Sequence, residues 1–448
     1  MTPVISVLLF IVGILLALIG LAASIALHEV GHLVPAKLFK VRVPQYMIGF
    51  GPTLWSKRIG ETEYGLKAIP LGGYISMIGM FPPKHRGEAP RDGGTGFLNT
   101  MIEEARSASN ESIEPHEVDR TFYNLPVWKR LVIMAGGPLM NLVLAVILFL
   151  IVFSGFGIFQ STTTVDALAQ CVVAQNQQDE VDASTCSTPS PAVAAGMQPG
   201  DEIVAIDGRT VTGWPDVSAT IAASAGVPLE ITVLRGGAET TLTVTPAVNT
   251  VYQRDEFTNQ ILEDDAGNPL TKEVGFVGFY VTQERQQMPP AYALEFTGRY
   301  IGQVGQIIIS MPERVVDMWN AGFMGAERDP NGPMSVVGVG RITGEVAAEQ
   351  SIPVGDRAAT IIMLLASLNV ALGVMNLIPL PPLDGGHIAA AIVDGLRRMF
   401  AKLFRRPPPG YFDTAKLIPV TMVVSVLLMA MTALFVYVDL VNPVRFLE

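Results

Sequence analysis

Four runs without a charged side chain constrain this 448-residue sequence more than anything else in it: Pro3 to Leu27 (25 residues), Leu131 to Phe159 (29), Ala358 to Leu383 (26) and Leu417 to Val438 (22). Each reaches the roughly 20 apolar residues that a helix needs to cross about 30 Å of hydrocarbon. Lipid offers the backbone no hydrogen bonds, so such runs fold as helices, and the chain reads as a polytopic α-helical membrane protein with four transmembrane helices. Only 16% of the residues are charged, against about 25% in soluble domains, and the mean hydropathy is +0.39. That excludes a disordered acidic chain. A net charge of −11 lacks the basic footprint of a nucleic-acid binder. Two cysteines are too few for a disulfide scaffold or an all-cysteine zinc cluster. The first run has neither a positively charged start nor a small-residue cleavage site, so it is expected to stay attached.

The loops set the orientation. Lys37, Lys40, Arg42, Lys57 and Arg58 follow the first run, and Lys129 and Arg130 precede the second. Arg397, Arg398, Lys402, Arg405, Arg406 and Lys416 separate the third from the fourth. Lys/Arg-rich short loops stay cytoplasmic, so segments 35–130 and 395–416 are expected inside. Segment 160–356, with 9 basic and 25 acidic residues, is expected outside with both termini.

The first run ends in His28-Glu29-Val30-Gly31-His32. Positions i and i+4 share a helix face, so His28 and His32 can bind one metal, with Glu29 beside them as a base for its water. Zinc brings the pKa of bound water to about 7 and polarises a carbonyl, which suits amide hydrolysis. Ionisable groups at the end of an apolar helix are costly and usually functional; the plainer alternative is two histidines snorkelling to headgroups. A third ligand must sit at matched depth. The third run crosses in the same direction and ends Asn376-Leu377-Ile378-Pro379-Leu380-Pro381-Pro382-Leu383-Asp384-Gly385-Gly386-His387. Asp384 is the first acid after 26 uncharged residues. An Asp-Gly-Gly turn is the ordinary reading of that residue, and His387 is a rival ligand on composition alone.

Together these motifs resemble the site-2 family of intramembrane zinc metalloproteases, in its RseP-like bacterial branch and single-PDZ actinobacterial type. His28-Glu29-x-x-His32 matches the first family motif and Asn376-x-x-Pro379-x-Pro381-x-x-Asp384-Gly385 the second. The resemblance implies that His28, His32 and Asp384 bind Zn2+, that Glu29 is the general base, and that His387 is not a ligand. Gly49-Phe50-Gly51-Pro52 and Pro70-Leu71-Gly72-Gly73-Tyr74 look like the family's membrane-re-entrant β-hairpin loop, and Gly136 to Asn141 like the signature opening its second span. Implied substrates are single-span proteins already trimmed outside, such as anti-sigma factors, and signal-peptide remnants.

Residues 45–80 are Gly-rich and carry Tyr46, Trp55, Tyr64 and Tyr74, as interfacial segments do. A strand edge from Ile69 to Ile75, with Gly72, Gly73 and Tyr74, is expected to bind extended substrate by strand addition. The alternative is a hairpin that only packs the bundle. Asn141 and Asn376 are candidates for holding unwound substrate backbone or the oxyanion, or for gluing transmembrane helices. Pro191 to Gly208 reads as a short helix, a Pro-Gly turn, an apolar strand and an Asp-Gly turn. It resembles the core of an extracytoplasmic PDZ-like α/β domain, with later strands at Leu229 to Leu234 and Thr241 to Thr245. Ile307 to Phe323 is expected as an amphipathic helix, either lying at the outer interface or packing against the PDZ-like domain.

The expected order is therefore a first span in 1–34, a β-loop region in 35–130, a second span in 131–159, the outer segment 160–290 with a PDZ-like core near 188–250, a membrane-returning segment 291–356, a third span in 357–394, a basic loop 395–414 and a fourth span in 415–440. The function expected is the second cleavage of regulated intramembrane proteolysis, with the bilayer and transmembrane substrates as partners and no nucleic acid. A catalytically inactive scaffold using the PDZ-like domain is the alternative, against which an intact Glu29 and all three ligands argue. Cys171 and Cys186 lie in the outer segment, where disulfides persist. Their pairing would close a loop worth roughly 3 kcal/mol. Thiol titration of unreduced, denatured protein should find no free thiol, and two would refute the pairing.

Overall fold

The computed structural model describes residues 3–82, 113, 115–171, 189–254, 261–262, 264, 268–329, 332–407, 409–410 and 412–444. Among them, four helices are long and apolar enough to cross a membrane, Val4–Leu38, Val127–Phe156, Val354–Asn376 and Thr414–Val441. The chain forms two compact units, Met1–Phe156 with Pro289–Glu448, and Gly157–Met288.

In the first unit, helix α1 (Pro3–Leu38) runs through the whole first apolar stretch and past His32. It stops at Lys40, whose positive φ of 65° cannot continue a helix. Strands β1 (Gln45–Ile59) and β2 (Thr62–Ser76) follow, turning at Gly60 with φ 63°. The pairing is double: Tyr46 lies opposite both Ile75 and Tyr64, and Ile48 opposite both Gly73 and Leu66. The first half of β1 thus runs between the two halves of β2, which leaves residues 73–76 with an edge unpaired by any strand among the described residues. Val41, Val43, Tyr46 and Met77 at the hairpin base are buried with Leu33, Phe122, Leu125, Ile133 and Met134. Helix α2 (Val127–Leu150) then crosses α1 where Gly31 meets Gly136. A Cβ on Gly136 would stand 2.0 Å from the Gly31 carbonyl oxygen, so this close crossing admits only glycine.

The second unit starts with β3 (Ile158–Leu168), followed by α3 (Pro191–Ala194), β4 (Glu202–Ile206), β5 (Arg209–Thr210), α4 (Trp214–Ala223), β6 (Leu229–Arg235), β7 (Ala238–Val244), β8 (Ala247–Tyr252), β9 (Thr271–Phe276) and β10 (Phe279–Gln286). The main sheet is antiparallel in the order β10-β3-β4-β6-β7, with β5 on β4, and β8 pairs β9 separately. Ser190 caps α3 by accepting from the Val193 N–H, and Asp207-Gly208 turns β4 into β5 at φ 50° and 73°. The alternating apolar side of β6 (Leu229, Ile231, Val233) closes on Ile203, Ile206, Val217 and Val165. Cys171 bridges Pro189, while Cys186 lies outside the described residues. Asp201, buried beside β4, receives Nε and Nη2 of Arg235, both at 2.7 Å.

The chain re-enters the first unit through α5 (Pro290–Ile309) and α6 (Met311–Trp319). The single amphipathic helix expected over Ile307 to Phe323 is therefore broken, at Ser310, because Pro312 lacks an N–H and its ring excludes the carbonyl four residues back. Helix α7 (Val336–Ala348) has no counterpart among the sequence expectations; Ser335 caps it, and Gly344 lets it press against Phe10 of α1. The expected third span divides into α8 (Val354–Asn376) and α9 (Asp384–Leu403), interrupted by Pro379, Pro381 and Pro382. Helix α10 (Ile418–Val441) ends the unit.

Arg235 holds the Asp201 carboxyl below the usual carboxylate range. An acid whose folded pKa is depressed stabilises the fold above its unfolded pKa of about 3.9, and the contribution is lost as pH falls through the folded value. Acid unfolding of Gly157–Met288, followed by Trp214 fluorescence, should therefore shift to higher pH in Arg235→Gln.

Candidate metal centre

One helix face and one helix start converge on a point. On α1, His28 and His32 stand one turn apart with their Nε2 atoms 3.2 Å from each other. Asp384, the first residue of α9, places Oδ2 3.2 Å from His28 Nε2 and 3.3 Å from His32 Nε2. The prolines that end α8 at Asn376 let the chain turn and restart as α9, which delivers a carboxylate from 352 residues beyond His32 in sequence. Among the described residues this triple is the one group of acidic, histidine or cysteine side chains whose donor atoms converge as a metal site requires.

Its surroundings orient it. His32 Nδ1–H donates to the Ile133 carbonyl at 2.7 Å, which leaves the Nε2 lone pair facing the other two donors. His28 Nδ1 is buried and has no such partner. Gly137 packs flat against both rings; a Cβ there would lie 2.2 Å from His32 Nε2 and 2.7 Å from His28 Nε2. One turn before His28 on the same face, Ser24 Oγ accepts from Asn369 Nδ2 at 2.9 Å, bolting α1 to α8. Tyr46 O–H donates to the Ala26 carbonyl at 2.8 Å and ties the hairpin to the same stretch of α1.

Glu29 is buried beside the triple. Gly73 faces it: a Cβ there would stand 3.1 Å from Glu29 Cγ. A cavity of about 540 Å³ opens on this cluster and is lined by His28, Glu29, His32, Gly72, Gly73, Tyr74, Asn141, Asn376, Asp384 and His387. Asn141 is 1% exposed and its Oδ1 has no hydrogen-bond partner. His387 shares the cavity but not the convergent triple. Ile69, half exposed, lies outside the cavity lining, and the expected strand edge reaches the centre through residues 72–75. Apolar walls come from Leu21, Ile25, Met134, Val336 and Leu372. No sequence pattern marks Ile133, whose part is played by its backbone, or Val336, which arrives on a helix rich in glycine.

The donor set suits zinc. Three donors mutually 3.2–3.3 Å apart match the edges of a tetrahedron about 2.0–2.1 Å from its centre, the distance of zinc from imidazole nitrogen or carboxylate oxygen. Two imidazoles and a carboxylate leave a fourth position free, as catalytic zinc sites do, and the cavity lies on that open side.

Comparison with known proteins agrees. The model of peptidase family M50 matches residues 16–406. The chain is 32% identical to zinc metalloprotease Rip1 of Mycobacterium tuberculosis over 453 aligned residues, covering 98% of this chain and 100% of the relative. It is 33% identical to Rip1 of Mycolicibacterium smegmatis, over 98% and 100% of the two chains. Metalloprotease MmpA of Caulobacter vibrioides is 28% identical over 85% of each.

Gly137→Ala should weaken zinc binding by about a hundredfold or more, because its methyl enters the space of both Nε2 atoms and ligand distances tolerate only about 0.2 Å. Zinc content after dialysis, with circular dichroism to verify helix content, tests this.

Proposed function

The chain belongs to peptidase family M50, the site-2 proteases, and is a zinc metalloprotease; from that premise we propose that it cleaves transmembrane segments inside the bilayer, with zinc held by His28, His32 and Asp384 and with Glu29 as general base. The observation that carries this reading is the convergence of two buried histidines and a half-buried aspartate beside Glu29 on a cavity between apolar helices. Zinc, when bound, supplies a Lewis acid that polarises the scissile carbonyl and acidifies water.

The remaining work falls to the chain's own residues. Glu29 takes a proton from the attacking water and returns it to the departing amide nitrogen, a transfer worth typically 10²–10⁴-fold. Gly73, which carries no side chain, leaves the Glu29 side chain its place beside the strand. A substrate helix must unwind before cleavage because its own hydrogen bonds shield its carbonyls. The unpaired edge at 73–76 supports strand addition of the unwound segment next to Glu29. Asn141 Oδ1, buried and unpaired, is suited to accept from a substrate N–H, and Asn376 lines the same cavity.

The hairpin is read as membrane-re-entrant. Leu54 and Trp55 are 66% and 59% exposed on it, with Phe50, Ile59 and Leu66 also outward, a patch suited to lipid. The positive charges at 37–58 and 397–416 support placing the active centre towards the cytoplasm, with the Gly157–Met288 unit and both termini outside. That unit is read as a PDZ-like domain that docks or size-filters substrates. The substrate class that follows is single-span proteins shortened on their outer side, anti-sigma factors among them. An inactive scaffold would not need Glu29 beside the convergent triple.

Glu29→Gln should retain zinc yet cleave a purified single-span substrate at least about a hundredfold more slowly. Undiminished cleavage by this variant, or after complete zinc removal, would defeat the mechanism.

A further inference from the structure

Helix α2 grips both ligand-bearing helices within its first two turns. Ile133 takes the His32 Nδ1–H on α1. One turn earlier, Arg130 reaches α9 and donates through Nη2 to Asp394 Oδ2. Asp394 is wholly buried, and the Arg130 side chain is 8% exposed. Arg398 joins the same Oδ2 at 3.0 Å from the following turn of α9. The neighbouring Gly395 brings α9 hard against Val127 of α2, where a Cβ would lie 3.1 Å from the valine Cγ1.

As a stability device this cluster is poor. Burying an ion pair costs desolvation that its attraction seldom repays, and replacement by apolar side chains is often neutral or stabilising. Here the buried groups are not even fully satisfied: Asp394 Oδ1 and Arg130 Nε have no hydrogen-bond partner. What the pair does supply is direction. Asp384 opens α9 directly after the irregular turn 377–383, and a metal site tolerates only about 0.2 Å of error in a ligand distance. Apolar packing lets a helix rotate or slip by more than that, whereas a charge-assisted hydrogen bond from a buried arginine to a buried carboxylate favours one azimuth.

We propose that Arg130 and Asp394 are positioning residues for the metal centre, fixing the rotation of α9 on α2 so that Asp384 meets the two histidines. The inference rests on Asp384 being a ligand. Helix α2 then acts as a jig: Ile133 sets the His32 ring, and Arg130, one turn away, sets the helix that begins with Asp384.

The test is zinc affinity of the full-length protein in detergent, by competition with a chromophoric chelator, alongside thermal unfolding of the metal-free form. Asp394→Leu strands the buried Arg130 charge and Arg130→Met leaves Asp394 only the half-exposed Arg398, so each should lower metal-free stability. Combined, they should restore stability to the native level or above while zinc binds about tenfold more weakly or worse, the range that outer positioning groups command. Native zinc affinity in a stable double variant would overturn the proposal. Arg130→Lys, which keeps the charge but replaces the planar guanidinium that reaches Asp394, covers failure of the double variant to fold. It should bind zinc severalfold more weakly, and native affinity there would equally overturn the proposal. Asp384→Ala measured in parallel should abolish tight binding. If it does not, the ligand assignment falls and the positioning role with it; if it does and the α2–α9 variants bind normally, only the positioning role falls.

Discussion

The architecture depends on an electrostatic constraint: a carboxylate and two imidazoles are held together inside apolar helices, where polar groups cannot rely on water. Such groups are tolerable only if they satisfy one another or share a cation. His28, His32 and Asp384 lie mutually within 3.3 Å, a spacing that brings like-natured acceptors together and that a shared divalent cation would stabilise. Much of the surrounding geometry follows from that requirement. Helix α1 must present one face, α8 must break so that α9 can start beside it, and α2 must approach closely enough to touch both.

Close approach is made by subtraction. Gly31 and Gly136 bring two backbones into contact, and Gly137 clears the space that the imidazoles occupy. In lipid the hydrophobic effect does not press helices together, so packing of small residues and a few polar bolts carry the association. Ser24 with Asn369 is one such bolt, between α1 and α8. The hairpin adds a third element: Tyr46 tethers it to α1, and Gly73 leaves room for the Glu29 side chain against the strand. A strand edge and a base that share a boundary give the proposed peptide-binding and proton-transfer roles a common register.

Legibility in the sequence varied with the range of the interaction. The four apolar runs and the His28/His32 pair rest on composition and on the 3.6-residue period, which are local. The β4 strand and its Asp207-Gly208 turn are local too, and their signals lie in adjacent residues. Helix α7 was not legible, because Gly338, Gly340 and Gly344 argue against a helix until α1 packs on it. The break at Ser310 was visible only as Pro312 within an apolar pattern. Ile133 left no trace, since any residue offers a carbonyl.

By itself the sequence determined that this is a four-span membrane protein with a His-Glu-x-x-His helix end and a proline-broken acid far downstream, since apolar length, helical period and proline stereochemistry act within a few residues. Only the tertiary structure decided that Asp384 and not His387 completes the convergent triple, that residues 72–75 and not Ile69 border the cavity, and that Arg130 reaches Asp394 across 264 residues. Each of these turns on a distance of a few ångströms between elements remote in the chain. No local pattern encodes such a distance; it emerges when glycine-lined helices close on one another and their buried polar groups must find partners.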